Sequence, residues 1–233
     1  PSEIEPGVYE VVLSPFAMEE LMGLMGESFS ARSVEEHTCF LEGHRGEQLV
    51  APVVSLYDDG TDPAGLPFPF DFEGMPKQRV EFLTAGKAGG VVYDSYYAAK
   101  AGRKTTGHSL QQPNDMGPYP LHMFMAPGES TEEAMVSHVE HGIYVSRFWY
   151  GSIVEPRQVV VTGTTRDGTY LIEHGRKVYG LKNLRFMQGL VEMFLHTSEV
   201  SQNRALLASS YGIGAMMLPA IRVQGFRFTG VSR

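Results

Sequence analysis

The spacing of apolar residues changes period along the chain. A period of two predicts a half-buried strand, and a period of three to four predicts a helix face. Residues 9–13 alternate, with Tyr9, Val11 and Leu13 on one side and Glu10 and Val12 on the other, which predicts a strand. Ser14-Pro15 then predicts a helix start, because serine caps free N–H groups and proline suits the first helical position. That helix runs over residues 17–25, with Leu21, Leu24 and Met25 as its core face and Glu19 and Glu20 toward its dipole-positive end. Residues 49–57 are apolar and β-branched and predict a strand that ends at the turn Asp58-Asp59-Gly60. Between residues 61 and 76, four prolines (63, 67, 69 and 76) with Gly65 and Gly74 predict an irregular surface excursion.

Two hairpins are expected. One pairs residues 79–83 with 89–93 around Ala85-Gly86-Lys87; the other pairs 169–173 with 176–179 around His174-Gly175. Glycine supplies the positive φ that such tight turns need. Helices are expected over 131–141, capped by Ser130 or Thr131 with Glu132 and Glu133 in the first turn, and over 186–196. Residues 219–231 alternate as a last strand. The pattern predicts an α+β fold, strand-rich and mainly antiparallel, with a few helices at the sheet margins.

Composition narrows the function classes. The chain has 233 residues, 42% of them hydrophobic and 20% charged, which suits one domain (1–233) with a real core. Its 27 acidic and 19 basic side chains give a net charge of −8, so non-specific nucleic-acid binding is disfavoured. The single cysteine, Cys39, excludes an internal disulfide and fits a reducing compartment. No apolar run approaches the roughly 20 residues that span a bilayer. The acidic start, Pro1-Ser2-Glu3-Ile4-Glu5, has no signal-peptide pattern, and a chain beginning on proline is expected to be a trimmed piece.

Candidate chemistry is sparse. There is no nucleophile elbow, Walker loop or dinucleotide fingerprint, and Gly212-Ile213-Gly214 lacks a third glycine. Cys39, between Thr38 and Phe40, reads as a small buried hydrophobe. His138 and His141 lie three apart on the expected 131–141 helix and could share one ion, or stand as solvated residues near a helix end. Asp58, Asp59, Asp71 and Glu73 gather around the proline-rich excursion; such acids can do acid–base work, but in loops they chiefly form turns and caps.

A longer series of motifs points further. It runs from Gly46-Glu47 and Asp58-Asp59-Gly60 through Phe70-Asp71-Phe72-Glu73-Gly74-Met75-Pro76 to Tyr93-Asp94-Ser95-Tyr96-Tyr97-Ala98-Ala99-Lys100 and Thr106-Gly107-His108. It continues with Pro127-Gly128-Glu129-Ser130, Gly142-Ile143-Tyr144-Val145, Thr165-Arg166-Asp167-Gly168-Thr169-Tyr170-Leu171-Ile172-Glu173, Lys182-Asn183-Leu184-Arg185-Phe186 and Pro219-Ala220-Ile221-Arg222-Val223. In this order, across nearly the whole chain, they resemble the C-terminal domain of the TldD/PmbA peptidase family, once called modulators of DNA gyrase. The resemblance implies that the family's N-terminal α/β region has no counterpart here and that Pro1 stands at its boundary.

TldD-type members of that family carry H-E-x-x-x-H on the first helix of this domain and a cysteine further along, which together hold a zinc that activates water. The resemblance places Glu19-Glu20-Leu21-Met22-Gly23-Leu24 on that motif. Glu20 keeps the acid, while Glu19 and Leu24 replace both histidines. Where the cysteine is expected the chain reads Tyr211-Gly212-Ile213-Gly214-Ala215-Met216. The resemblance therefore implies the TldE/PmbA-like branch: no catalytic residue and no cofactor in this chain, with zinc expected in a TldD-type partner. It further implies a cytoplasmic dimer, homomeric or with that partner, that helps form a chamber for unfolded peptide. Asp71, Glu73, Tyr93, Tyr96, Tyr97, Arg166 and Asp167 are the candidate peptide contacts, each also explicable as turn, sheet face or hairpin support. The rival reading is an independent metallopeptidase using Glu19, Glu20, His138 and His141; the weakest is a DNA- or gyrase-associated protein.

Overall fold

The computed structural model describes residues 1–209 and 214–232. Strand β1 (Gly7–Leu13) leads into helix α1 (Pro15–Met25), a 3-10 turn and the short α2 (Ala31–Glu35). Then come β2 (Leu56–Asp58), β3 (Val80–Thr84), β4 (Lys87–Ala88), α3 (Ser95–Lys100), β5 (Met123–Met125) and α4 (Glu132–Ser137). The C-terminal part holds β6 (His141–Glu155), β7 (Val160–Glu173), β8 (Arg176–Gly180), β9 (Leu184–Gly189), α5 (Leu190–Leu195), β10 (Thr197–Ala208) and β11 (Ala215–Val231). The fold is strand-rich α+β.

Five strands close on one another. β1 pairs in parallel with β6 (Val11 opposite Ile143) and antiparallel with β11 (Val11 opposite Val223). β6 pairs with β7, β7 with β9, and β9 with β11, each antiparallel, which completes the ring. Its core includes Phe148, Phe186, Phe226 and Phe228, all 2% exposed or less, with ring centroids 4.5 Å apart for Phe148–Phe186 and 5.5 Å for Phe186–Phe226. The alternation in β1 sorts as expected. Val11 and Leu13 join the main core, whereas Val12 faces a second cluster with Met135 and Val136 of α4, Tyr144 and Ile172. The first half of β11 leaves the ring to pair with β10 on one side and β5 on the other, and β2, β3 and β4 continue beyond β5. The β1–β6 and β5–β11 pairs are parallel, so the sheet is mixed.

Local chemistry explains the elements that match expectation. Ser14 accepts the Ala17 N–H at 3.3 Å and Pro15 opens α1, while Glu19 and Glu20 fall beyond the first turn. Ala85 and Gly86 (φ 47° and 77°) close the β3–β4 hairpin, and His174 and Gly175 (φ 49° and 75°) close β7–β8.

Four expectations are corrected. Residues 49–55 are not strand: Pro52 interrupts the ladder, Val54 N–H turns back to Ala51 O, and only Leu56–Asp58 pairs. The second arm of the first hairpin stops at Ala88, and Gly89 and Gly90 donate to Phe82 O and Glu81 O as an irregular continuation. The 186–196 segment divides. Leu184, Phe186 and Gln188 alternate inward as β9, and Gly189 caps a six-residue α5. Finally, α4 ends at Ser137, and His141 is already the first residue of β6.

Candidate functional site

Helix α1, which carries Glu19, Glu20 and Leu24, is packed on β6 and β11. Glu19, Glu20 and Leu24 are 8%, 7% and 7% exposed. Glu20 Oε1 accepts the Gly151 N–H at 3.0 Å, just after Tyr150, which takes a positive φ of 59° at an irregularity in β6. Gly151 lets the strand come close here: a Cβ would stand 2.7 Å from Leu24 Cδ1 and 2.8 Å from Glu20 Oε1, so either side-chain end would have to move aside. The strand therefore presses directly onto the helix face that carries Glu20 and Leu24. Leu24 offers no donor atom and one oxygen of Glu20 is engaged by backbone, so positions 19, 20 and 24 supply at most two carboxylates, short of the three protein ligands that a catalytic zinc takes. Among the described residues no group of three or more His, Cys, Asp and Glu is placed to hold a metal. Residues 211–213, part of the segment where a cysteine ligand was expected and of the Gly212-Ile213-Gly214 triplet, lie outside the described residues.

The C-terminal end of α1 opens onto a cavity of about 430 Å³ lined by Gly23, Leu24, Phe72, Tyr119, Leu121 and Ile153, among others. Phe72 comes from the proline-rich excursion, so the fold joins two segments that the motif series kept 48 residues apart. Tyr119 donates its hydroxyl to Gly23 O at 2.9 Å and so fixes the loop wall against the helix. Nothing in local sequence signalled Tyr119, Leu121 or Ile153 as cavity residues, because their proximity arises only from tertiary packing.

Behind the excursion lies a buried polar cluster. Asp58 is fully buried at the end of β2; its Oδ1 accepts His108 Nε2 at 2.8 Å and its Oδ2 accepts the His122 N–H at 2.7 Å. Burial pushes the Asp58 carboxyl upward, but the His108 hydrogen bond and the charges of His108 and Lys77 outweigh it and hold the group below the usual aspartate range. Lys77 is 6% exposed, and burial lowers its ammonium below the usual lysine range despite the opposing charges of Asp58 and Asp71. Burial also lowers His122, to about 4, so that imidazole is neutral at neutral pH. Gly60 serves close approach, since a Cβ there would meet Lys77 Cδ at 2.3 Å and Phe68 O at 2.7 Å. The Asp58-Asp59-Gly60 motif is thus a lid over a buried lysine as well as a turn.

The other candidates divide by region. Asp71 is 2% exposed and takes the N–H groups of Glu73, Met75 and Ser109, each at 2.9 Å, a loop-building role. Glu73 Oε2 accepts the Ser95 N–H at the start of α3. On α3, Tyr96 is 64% exposed and stands edge-on to Tyr97, while Tyr93 precedes the helix with Arg103 over its ring. Arg166 and Asp167 lie on β7 and contact Trp149 and Arg147 of β6. His138 Nδ1 meets Glu199 at 2.9 Å, whereas His141 Nδ1 lies 3.9 Å from Glu173, so the two do not share a helix face. Cys39 is buried, donates to Ser28 O, and is raised by burial to about 11, as a structural thiol would be.

Comparison with known proteins places these features. The family model described as the PmbA/TldA metallopeptidase C-terminal domain matches residues 6–230. Among curated relatives, a "Metalloprotease TldD homolog" of Haemophilus influenzae is 27% identical over 175 residues, covering 74% of this chain and 35% of that protein. "Metalloprotease PmbA" of Escherichia coli O157:H7 is 23% identical over 233 residues, covering 96% of this chain and 48% of that protein. The chain thus spans at most about half the length of these two relatives. The fold is shared with the crystal structure of TldE from Thermococcus kodakarensis (TM-score 0.86, 22% identity, covering 98% of this chain and 51% of that one). It is shared equally with that of a putative modulator of a DNA gyrase from Thermotoga maritima (TM-score 0.86, 21% identity, 98% and 51% covered). No helix among the described residues is long and apolar enough to cross a membrane.

Proposed function

The chain belongs to the PmbA/TldA metallopeptidase C-terminal domain family, and from that premise we propose that it is a metal-free, TldE/PmbA-like component of a peptidase assembly. In this reading it works in the cytoplasm beside a TldD-type subunit, or in a homodimer, completes a chamber, and holds unfolded peptide. The single observation that carries it is the state of α1. Leu24 is apolar and Glu20 is bonded to the Gly151 N–H, and the resemblance sets both on the positions of the zinc-binding motif. With no metal to acidify water, Glu20 has no nucleophile to activate, and the helix supplies a wall instead.

The cavity at the end of α1 suits an apolar side chain of a peptide: Leu24, Phe72, Leu121 and Ile153 offer mostly hydrocarbon. Tyr96 and Tyr97 are the candidate contacts outside it, with Glu73 and Tyr93 supporting them, and Arg166 and Asp167 belong to a separate surface on β7. Co-purification of the full-length protein from its native host tests the partner: recovery of a TldD-type subunit is expected, and its repeated absence counts against the assembly. Metal analysis tests the rest. Stoichiometric zinc with chelator-sensitive peptidase activity in this protein alone would replace this reading with the rewired metallopeptidase. The net charge of −8 favours neither nucleic acid nor gyrase-bound DNA as a partner.

A further inference from the structure

A second cavity, of about 490 Å³, lies away from α1, and its lining includes Arg45, Arg103, Lys104, Tyr93, Thr106 and Glu42. Its charge runs against that of the whole molecule. Eight of the described lysines and arginines sit in ion pairs, among them Arg32 with Glu36, Lys100 with Glu35 and Arg79 with Glu81. Arg45, Arg103 and Lys104 form none among the described residues, although the chain carries an excess of acid. The one carboxylate in the lining, Glu42, is already engaged through Oε1 by His37 Nδ1 at 2.8 Å, and its Oε2 is buried. The Lys100 ammonium nearby in sequence is drawn off by Glu35. Tyr93 forms an aromatic wall, with the Arg103 guanidinium 5.8 Å from its ring centroid. Gly43, at φ +81° with nothing within 4 Å of a would-be Cβ, leaves the rim open.

We infer that this cavity binds a dianionic phosphoryl group, free or as the monoester of a small molecule. Three unpaired cations against one engaged carboxylate leave a local excess of two positive charges. That excess matches a phosphate monoester, which carries about −1.5 to −2 at neutral pH, better than a single carboxylate. Arginine also presents a planar fork of donors suited to phosphate oxygens. Concave placement concentrates the field of the three charges, so the site operates within an acidic protein. It does not use the α1 cavity and shares only Tyr93 with the peptide contacts proposed above.

Titration of the protein with inorganic phosphate, phenyl phosphate and acetate, followed by amide chemical shifts and calorimetry at constant ionic strength, tests the assignment. Saturable binding of phosphate is expected, with acetate at least tenfold weaker. Tighter binding of phenyl phosphate identifies an ester as the source, and equal or weaker binding identifies free phosphate. Arg103→Gln with Lys104→Gln is expected to weaken binding at least tenfold, and Arg45→Gln alone several-fold. Arg185→Gln on β9, which alters charge outside the cavity, is expected to leave binding unchanged. Shifts that never saturate, acetate binding as tight as phosphate, or equal losses in Arg185→Gln and Arg45→Gln would overturn the proposal. Because Arg45 is an exposed loop residue, its variant keeps the test valid if the double variant fails to fold.

Discussion

Glu20 on α1 and Asp58 at the end of β2 are both buried carboxylates, and the molecule holds them in opposite ways. Glu20 lies in an apolar helix face and accepts a backbone N–H from the strand that crosses it. Asp58 lies among ionisable side chains, with His108 bonded to it and Lys77 and His122 close enough to influence its charge. Glu20, which the resemblance set on the family's catalytic motif, is here buried and bonded to backbone. The residue that looked like a turn-former is the electrostatic centre of the loop region. A motif marks where chemistry could be done; the neighbours of each atom decide whether it is.

The contrast can be broken at either end. The largest effect is expected from Asp58→Ala, which strands His108 and leaves the buried Lys77 with less counter-charge; a loss of about 3–5 kcal/mol in denaturant unfolding is expected. Acidification should report the same cluster. His122 is lowered in the folded state to about 4 from an ordinary 6.5, so below pH 6.5 the unfolded chain takes up a proton that the folded protein refuses. The corresponding stability is complete above about 6.5 and falls away as pH drops toward 4, by about 3 kcal/mol. The lowered Asp58 carboxyl acts in the same direction, at the acid end of that window and below it. His122→Phe, which keeps a ring beside Phe68, should flatten the pH 4–6.5 slope; an unchanged slope would assign it elsewhere.

Smaller effects sharpen the comparison. Gly60→Ala forces the Lys77 stem and the Phe68 carbonyl apart, and about 1–3 kcal/mol of destabilisation is expected. Glu20→Ala removes the acceptor of the Gly151 N–H and should cost about 1 kcal/mol. If Glu20→Ala proved as damaging as Asp58→Ala, the distinction between a packing acid and an electrostatic one would fail. Arg166→Ala, on exposed β7, is expected to change stability by less than about 0.5 kcal/mol.

Much of the local structure was legible. The alternation in β1, the Ser14 cap and the His174-Gly175 turn each rest on interactions within a few residues, where propensity and turn chemistry decide. The failures came where distant partners decide. Phe186 and the residues around it carry enough apolar character for a helix, yet pairing with β7 and β11 draws them into β9. His141 was assigned to a helix but is claimed by β6, since the ladder to β7 begins there at Glu173. Leu49 to Ser55 have the apolar character of a strand, but Pro52 and a short turn remove them from any ladder.

By itself, the order of motifs pointed to the family, and the residue types at 19 and 24 show a carboxylate and an aliphatic side chain where the resemblance leads one to expect histidines, because donor chemistry is a property of each side chain. Only the tertiary structure decided what those residues do instead. The approach of Gly151 to Glu20, the meeting of Phe72 with Leu24 across one cavity, and the burial of Lys77 beneath Gly60 all join residues far apart in the chain. So does the closure of five strands into a ring. No local period encodes such distances; they follow from how the sheet closes and what must then pack against it.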